Sequence, residues 1–97
     1  MEVVSIKYGD SYFYENWVIP EGDPNKKLPI VFQVFLIKCD DKLVLVDAGC
    51  ETMPGFEMFN FCGPIKALEQ LGVFPEQITD VIITHAHHDH IECVKYF

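Results

Sequence analysis

The sequence predicts a mixed α/β (α+β) fold, and three observations carry that reading. Short runs of β-branched and aromatic residues recur along the chain, one amphipathic stretch with helix punctuation interrupts them, and the last run ends in clustered histidines. At 97 residues with 49% apolar content, the sequence is that of a globular chain with room for one domain. A domain of this size buries only about two-thirds of its unfolded surface, so a site between two packed half-domains strains it.

The elements follow in chain order. Val3, Val4, Ile6 and Tyr8 punctuate Glu2 to Tyr8, and Tyr12 to Ile19 is again aromatic and β-branched; two strands around a turn at Gly9-Asp10-Ser11 are predicted. Residues 20–29, PEGDPNKKLP, carry turn and loop chemistry. Ile30 to Ile37 is nearly continuous in apolar side chains, which predicts a strand buried on both faces, and Cys39-Asp40-Asp41 turns it into Leu43 to Val46. Gly63-Pro64 opens a helix with proline at its first position; Ile65, Leu68 and Leu71 share one side, and Gly72 closes it. A turn at Pro75-Glu76-Gln77 leads into a buried strand, Val81-Ile82-Ile83, whose end delivers Thr84 and the histidines.

Fifteen acidic against seven basic residues give a net charge of −8, which argues against nucleic acid or an anionic membrane surface as partner. The four cysteines lack C-x-x-C spacing, and Met1 to Gly9 has no basic stretch followed by an apolar core. Reduced thiols in a cytoplasmic protein are the simplest expectation. No apolar run approaches the roughly 18 residues of a membrane-spanning helix.

The chemistry concentrates in Thr84-His85-Ala86-His87-His88-Asp89-His90. Imidazole binds zinc at about 2.0 to 2.1 Å, and a site needs three or four donors converging on one point. In an extended stretch leaving a strand, residues two apart face the same side, so His85 and His87 can meet one ion. The turn that follows can bring Asp89 and His90 to a second point nearby.

This motif, arriving on Val81 to Ile83 after Leu43-Val44-Leu45-Val46-Asp47-Ala48-Gly49, resembles the metallo-β-lactamase superfamily, and most of residues 30–91 take part. The resemblance implies that residues 1–97 form the N-terminal half of a four-layer αβ/βα sandwich. It implies that His85 and His87 bind a first metal and Asp89 and His90 a second, with Asp89 also orienting the nucleophile. Zinc is the implied ion, and iron or manganese suits the same ligands. In such enzymes a metal-bound hydroxide attacks an ester, lactone or thioester carbonyl of a small molecule. The third histidine, bridging aspartate and last histidine of the family come from the C-terminal half and are absent among these residues, and the Gly-Gly that often follows the motif is replaced by Glu92-Cys93.

His88 occupies the variable position of the motif and is predicted to be solvated, while Cys93 is predicted to be a small buried hydrophobe. Asp47 either caps the turn at Gly49 or supports the site by holding a histidine N–H or the loop backbone. Met53 to Phe61, MPGFEMFNF, is expected either to line an acyl-binding rim, as in the lactonase and thioesterase-like branch, or to pack in the core. Thioesterases of the glyoxalase II kind, sulfur dioxygenases, nucleases and flavin-linked oxidoreductases share the resemblance. An amidohydrolase barrel would place H-x-H on its first strand and leave Asp89-His90 unexplained. The non-enzymatic alternative is a truncated or split half-domain that binds metal, or self-associates through an exposed sheet face, without turnover.

Overall fold

The computed structural model describes residues 1–97 as a five-stranded sheet covered on one face. Strand β1 (Glu2–Tyr14) and strand β2 (Lys27–Cys39) form a long antiparallel hairpin, with a short helix α1 (Glu15–Val18) at its far end. Strand β3 (Lys42–Val46) pairs with β2, strand β4 (Met58–Phe59) with β1, and strand β5 (Asp80–Ile82) lies parallel to β3. Helix α2 (Pro64–Glu69) precedes β5, and helix α3 (His88–Ile91) follows it. No helix is long and apolar enough to cross a membrane.

Where two strands and a turn are predicted near the N-terminus, one strand runs through. The pairing shifts between Lys7 and Gly9, so Tyr8 is the extra residue of a β-bulge. Ile6 and Tyr8 point into the core before it, and Gly9 and Ser11 after it, which is the change of period that mimics a turn in the sequence. Gly9 is required there because a Cβ would overlap the Phe61 ring. Tyr14 ends the strand, and the residues from Glu15 on turn into α1 instead of continuing the predicted strand to Ile19. Lys27 to Pro29, read as loop, begin β2, and the pairing of β4 with β1 carried no sequence signal beyond two apolar residues.

The core joins Ile6, Tyr8, Phe32, Val34, Leu36, Leu45, Cys50, Ala67, Leu68 and Val73. Each fully buried aliphatic side chain among them contributes about 1.5 to 3 kcal/mol. Helix α2 covers this face through Pro64, Ala67 and Leu68, and its entry at Gly63 and exit at Gly72 both have positive φ. Leu71, predicted on the buried side, is exposed: the chain reverses at Gly72, and the Val73 N–H returns to the Leu68 carbonyl at 3.0 Å, so Val73 takes the core position.

The expectation that β2 is buried on both faces is also corrected. Its inward side chains are sealed, whereas Phe35 and Ile37, paired with Val46 and Val44, face the uncovered side. Val3 opposite Ile37 and Ile82 opposite Val46 extend this apolar stripe, at 59% and 50% exposure. The predicted buried strand at residues 81–83 is therefore an edge strand with one open face.

Candidate metal centre

The site stands where the parallel neighbours β3 and β5 end side by side. Their shared direction puts Asp47 beside the exit of β5, with its N–H on the Ile82 carbonyl at 2.7 Å. Asp47 is buried and left-handed, φ +63°, a conformation that aspartate tolerates better than most residues. Its carboxylate accepts the Thr84 N–H and the Thr84 hydroxyl, each at 2.9 Å. Its Oδ2 also lies 2.7 Å from His90 Nδ1, though the buried ring nitrogen is out of line for a hydrogen bond. Burial would lift the Asp47 carboxyl, but the Thr84 and His90 contacts outweigh it and hold the group below its usual range. Of the roles foreseen for Asp47, tying down the loop and facing a histidine both occur; it makes no bond capping Gly49.

Thr84 extends this support. Its hydroxyl is 3.0 Å from His85 Nδ1, so a hydroxyl proton directed at Asp47 leaves the oxygen to accept from Nδ1–H. That tautomer keeps the His85 Nε2 lone pair free. One carboxylate thus bears on two histidines, His90 directly and His85 through Thr84.

The predicted ligands are gathered. The His85 ring lies 3.9 Å from that of His90 and 4.5 Å from that of His87, between centroids, and Asp89 Oδ2 is 3.4 Å from His90 Nε2. His87 is extended just before α3, and Asp89 sits in its first turn. No three His, Cys, Asp or Glu donors take up coordination geometry in this arrangement. The donor set still fits a divalent cation: three imidazoles and a carboxylate share one end of the sheet, and His90 Nδ1 is buried without a hydrogen bond of its own.

His88 is exposed, as expected for the variable position of the motif, and its Nε2 lies 2.6 Å from Glu92 Oε2 and 2.8 Å from the Thr52 carbonyl. Cys93 is fully buried as expected, and burial, with Glu51 and Glu92 nearby, pushes its thiol up to about 12. Tyr8 escaped the sequence reading, since an inward tyrosine looks like any core aromatic. Its hydroxyl donates to the Asp89 carbonyl at 3.2 Å and lies 3.7 Å from Cys50 Sγ, and burial keeps it protonated.

Residues 33–97 match the family model of the Metallo-beta-lactamase superfamily. The chain belongs to that superfamily. This superfamily member is 34% identical over 88 residues to the N-acyl homoserine lactonase AiiB of Agrobacterium fabrum (strain C58), an alignment covering 75% of the chain and 32% of the relative. It is 30% identical, with the same coverage, to the AiiB lactonase of Rhizobium rhizogenes (strain K84). It thus spans about a third of the length of these curated relatives. Among solved structures, an N-acyl homoserine lactone hydrolase with N-hexanoyl-L-homoserine at its catalytic metal centre superposes with a TM-score of 0.79 at 19% identity, covering 98% of this chain and 44% of that one. The dizinc quorum-quenching lactonase AidC gives 0.69 at 24% identity, covering 91% and 34%. These likenesses establish the fold as that of the metallo-beta-lactamase lactonases.

Proposed function

We propose that this chain is the motif-bearing part of a metal-dependent hydrolase that opens a lactone, ester or thioester, with N-acyl homoserine lactones as the favoured substrates. The observation that carries the proposal is the gathering of His85, His87, Asp89 and His90 around a buried carboxylate that bears on two of the rings. The curated relatives, both N-acyl homoserine lactonases, support the substrate class.

In this reading His85 and His87 hold one ion and Asp89 and His90 another, with zinc, iron or manganese suited to the donors. Such ions, when bound, lower the pKa of water toward neutrality and polarise a carbonyl. Asp47 sets its carboxylate against His90 Nδ1 and, through Thr84, favours the His85 tautomer with Nε2 free. Asp89 presents its carboxylate beside the reacting centre and orients the attacking water. Phe13, Trp17 and Phe56, with ring centroids 4.8 to 6.0 Å apart, offer an apolar wall for an acyl chain. Residues 1–97 are taken as the N-terminal part of one domain whose other half supplies the remaining donors. Four unpaired cysteines suit a reducing compartment such as the cytoplasm.

The test is to load the protein with zinc and measure bound metal and lactone-ring opening together. Zinc binds and is diminished in His87→Ala; unchanged metal stoichiometry removes His87 from the site, and turnover that survives complete chelation overturns the metal reading.

The uncovered apolar stripe favours a second reading, a half-domain that associates through this face without catalysis. Light scattering of the 97-residue chain then shows dimers or larger species, and a monomer at every concentration sinks this alternative.

A further inference from the structure

Two stretches of this chain run side by side and are fastened at successive points. Asp47 binds Thr84, the Ala48 N–H reaches the His90 carbonyl at 2.8 Å, and the Cys93 N–H reaches the Gly49 carbonyl at 3.1 Å. The next fastening is made by a side chain. Glu92 Oε1 accepts the consecutive N–H groups of Glu51 and Thr52 at 2.6 and 3.1 Å, and Oε2 accepts the Thr52 hydroxyl at 3.1 Å. His88 closes the arrangement from the other side, its Nε2 against both Glu92 Oε2 and the Thr52 carbonyl.

Thr52 is the last residue before the segment that carries Met53, Phe56 and Met58. The far end of that segment is anchored separately, by the pairing of Met58 and Phe59 with β1 and by the Ser11 hydroxyl on the Glu57 carbonyl. Met53 to Glu57 therefore runs between two polar supports, with Met53 packed against the core between them. It contains Gly55 at φ +86° and Phe56, whose ring stacks on Phe13 and Trp17. One support is fixed to the sheet; the other is Glu92, two residues beyond His90.

We infer that Glu92 is a positioning residue that couples the histidine loop to the Met53–Glu57 segment, so that ordering the loop orders the aromatic wall. Glu92 touches none of the proposed ligands and acts through the Glu51 and Thr52 amides. The inference rests on the metal-centre reading of His85, His87, Asp89 and His90, because an ion bound by those side chains adds to the backbone bonds that already hold α3 and the turn after it. A carboxylate that grips two consecutive amides transmits that order better than a lone backbone bond, since neither amide can rotate away alone.

Hydrogen exchange by mass spectrometry, on the protein with and without zinc, tests the coupling, with zinc content measured on the same samples. In the unmodified protein zinc slows exchange in peptides from both 84–93 and 51–57, on the order of tenfold in the second. In Glu92→Ala zinc still binds at the same stoichiometry and protects 84–93, while the protection of 51–57 is lost. Glu92→Gln keeps one oxygen for the two amides and retains part of the effect, and it serves alone where the alanine variant fails to fold. Protection of 51–57 undiminished in both variants, or limited to 84–93 in the unmodified protein, overturns the coupling while leaving the metal centre intact. Absence of bound zinc overturns the metal-centre reading and the coupling with it.

Discussion

Exchanging Asp47 for asparagine weakens metal binding about ten- to a hundredfold, the usual cost of losing a carboxylate behind a ligating histidine. Asparagine is the informative substitution because it also tolerates the left-handed backbone, so φ +63° adds no strain of its own. What changes is the charge and the acceptor. The amide has one oxygen for the Thr84 N–H and hydroxyl, and its NH2 meets His90 Nδ1 as one donor meeting another. Asp47→Ala adds roughly 1 to 2 kcal/mol of instability from the left-handed position. Competition with a chelator reads the affinity, and urea unfolding of the metal-free forms reads the stability; asparagine with unaltered affinity removes Asp47 from its supporting role. The pH dependence has a defined sign. Because the folded carboxyl lies below its ordinary value of 3.8, its stabilisation is present above that value and is lost as pH falls through the folded pKa. The asparagine variant lacks this part of the acid transition.

Tyr8→Ala is the most damaging single change expected in the core, at about 3 to 5 kcal/mol. The ring lies 5.9 Å from that of Phe32 and 5.7 Å from that of Phe61, and is 1% exposed, so little can move in to fill its place. Tyr8→Phe separates the packing from the hydroxyl. It removes the bond to the Asp89 carbonyl and costs about 1 kcal/mol. Chemical denaturation distinguishes the two, and a phenylalanine variant as unstable as the alanine one contradicts the division made here.

Much of the chain was legible because its signals are local. The Leu43 to Val46 strand, the helix opening at Gly63-Pro64 and the strand before Thr84 all carry period or punctuation that needs no partner to interpret. The histidine cluster was legible because four candidate ligands, three histidines and an aspartate, fall within one loop. The losses have a common cause, which is dependence on distant residues. Glu92 reads as an ordinary surface acid until Glu51 and Thr52 are brought to it from 41 and 40 positions away. Tyr8 needs Asp89 from 81 positions away, and the exposure of Leu71 depends on where Gly72 sends the chain. Apolar continuity in β2 predicts a strand covered on both faces, yet Phe35 and Ile37 face the open side, because cover is supplied by distant elements and not by the strand's own residues.

The extra residue in β1 has a consequence for how the hairpin can vary in length. Ile6 and Ser11 face the core although five positions separate them, a spacing that an unbroken alternation forbids. Deleting Tyr8 restores strict alternation and leaves everything beyond it in place: Gly9 follows Lys7 on the inward side, Ser11 still faces the core and keeps the Glu57 carbonyl, and what is lost is the Tyr8 side chain itself. A one-residue length change is therefore accommodated at the bulge, whereas elsewhere in this arm changes come in twos, and alignments against longer or shorter relatives should place single gaps beside Gly9.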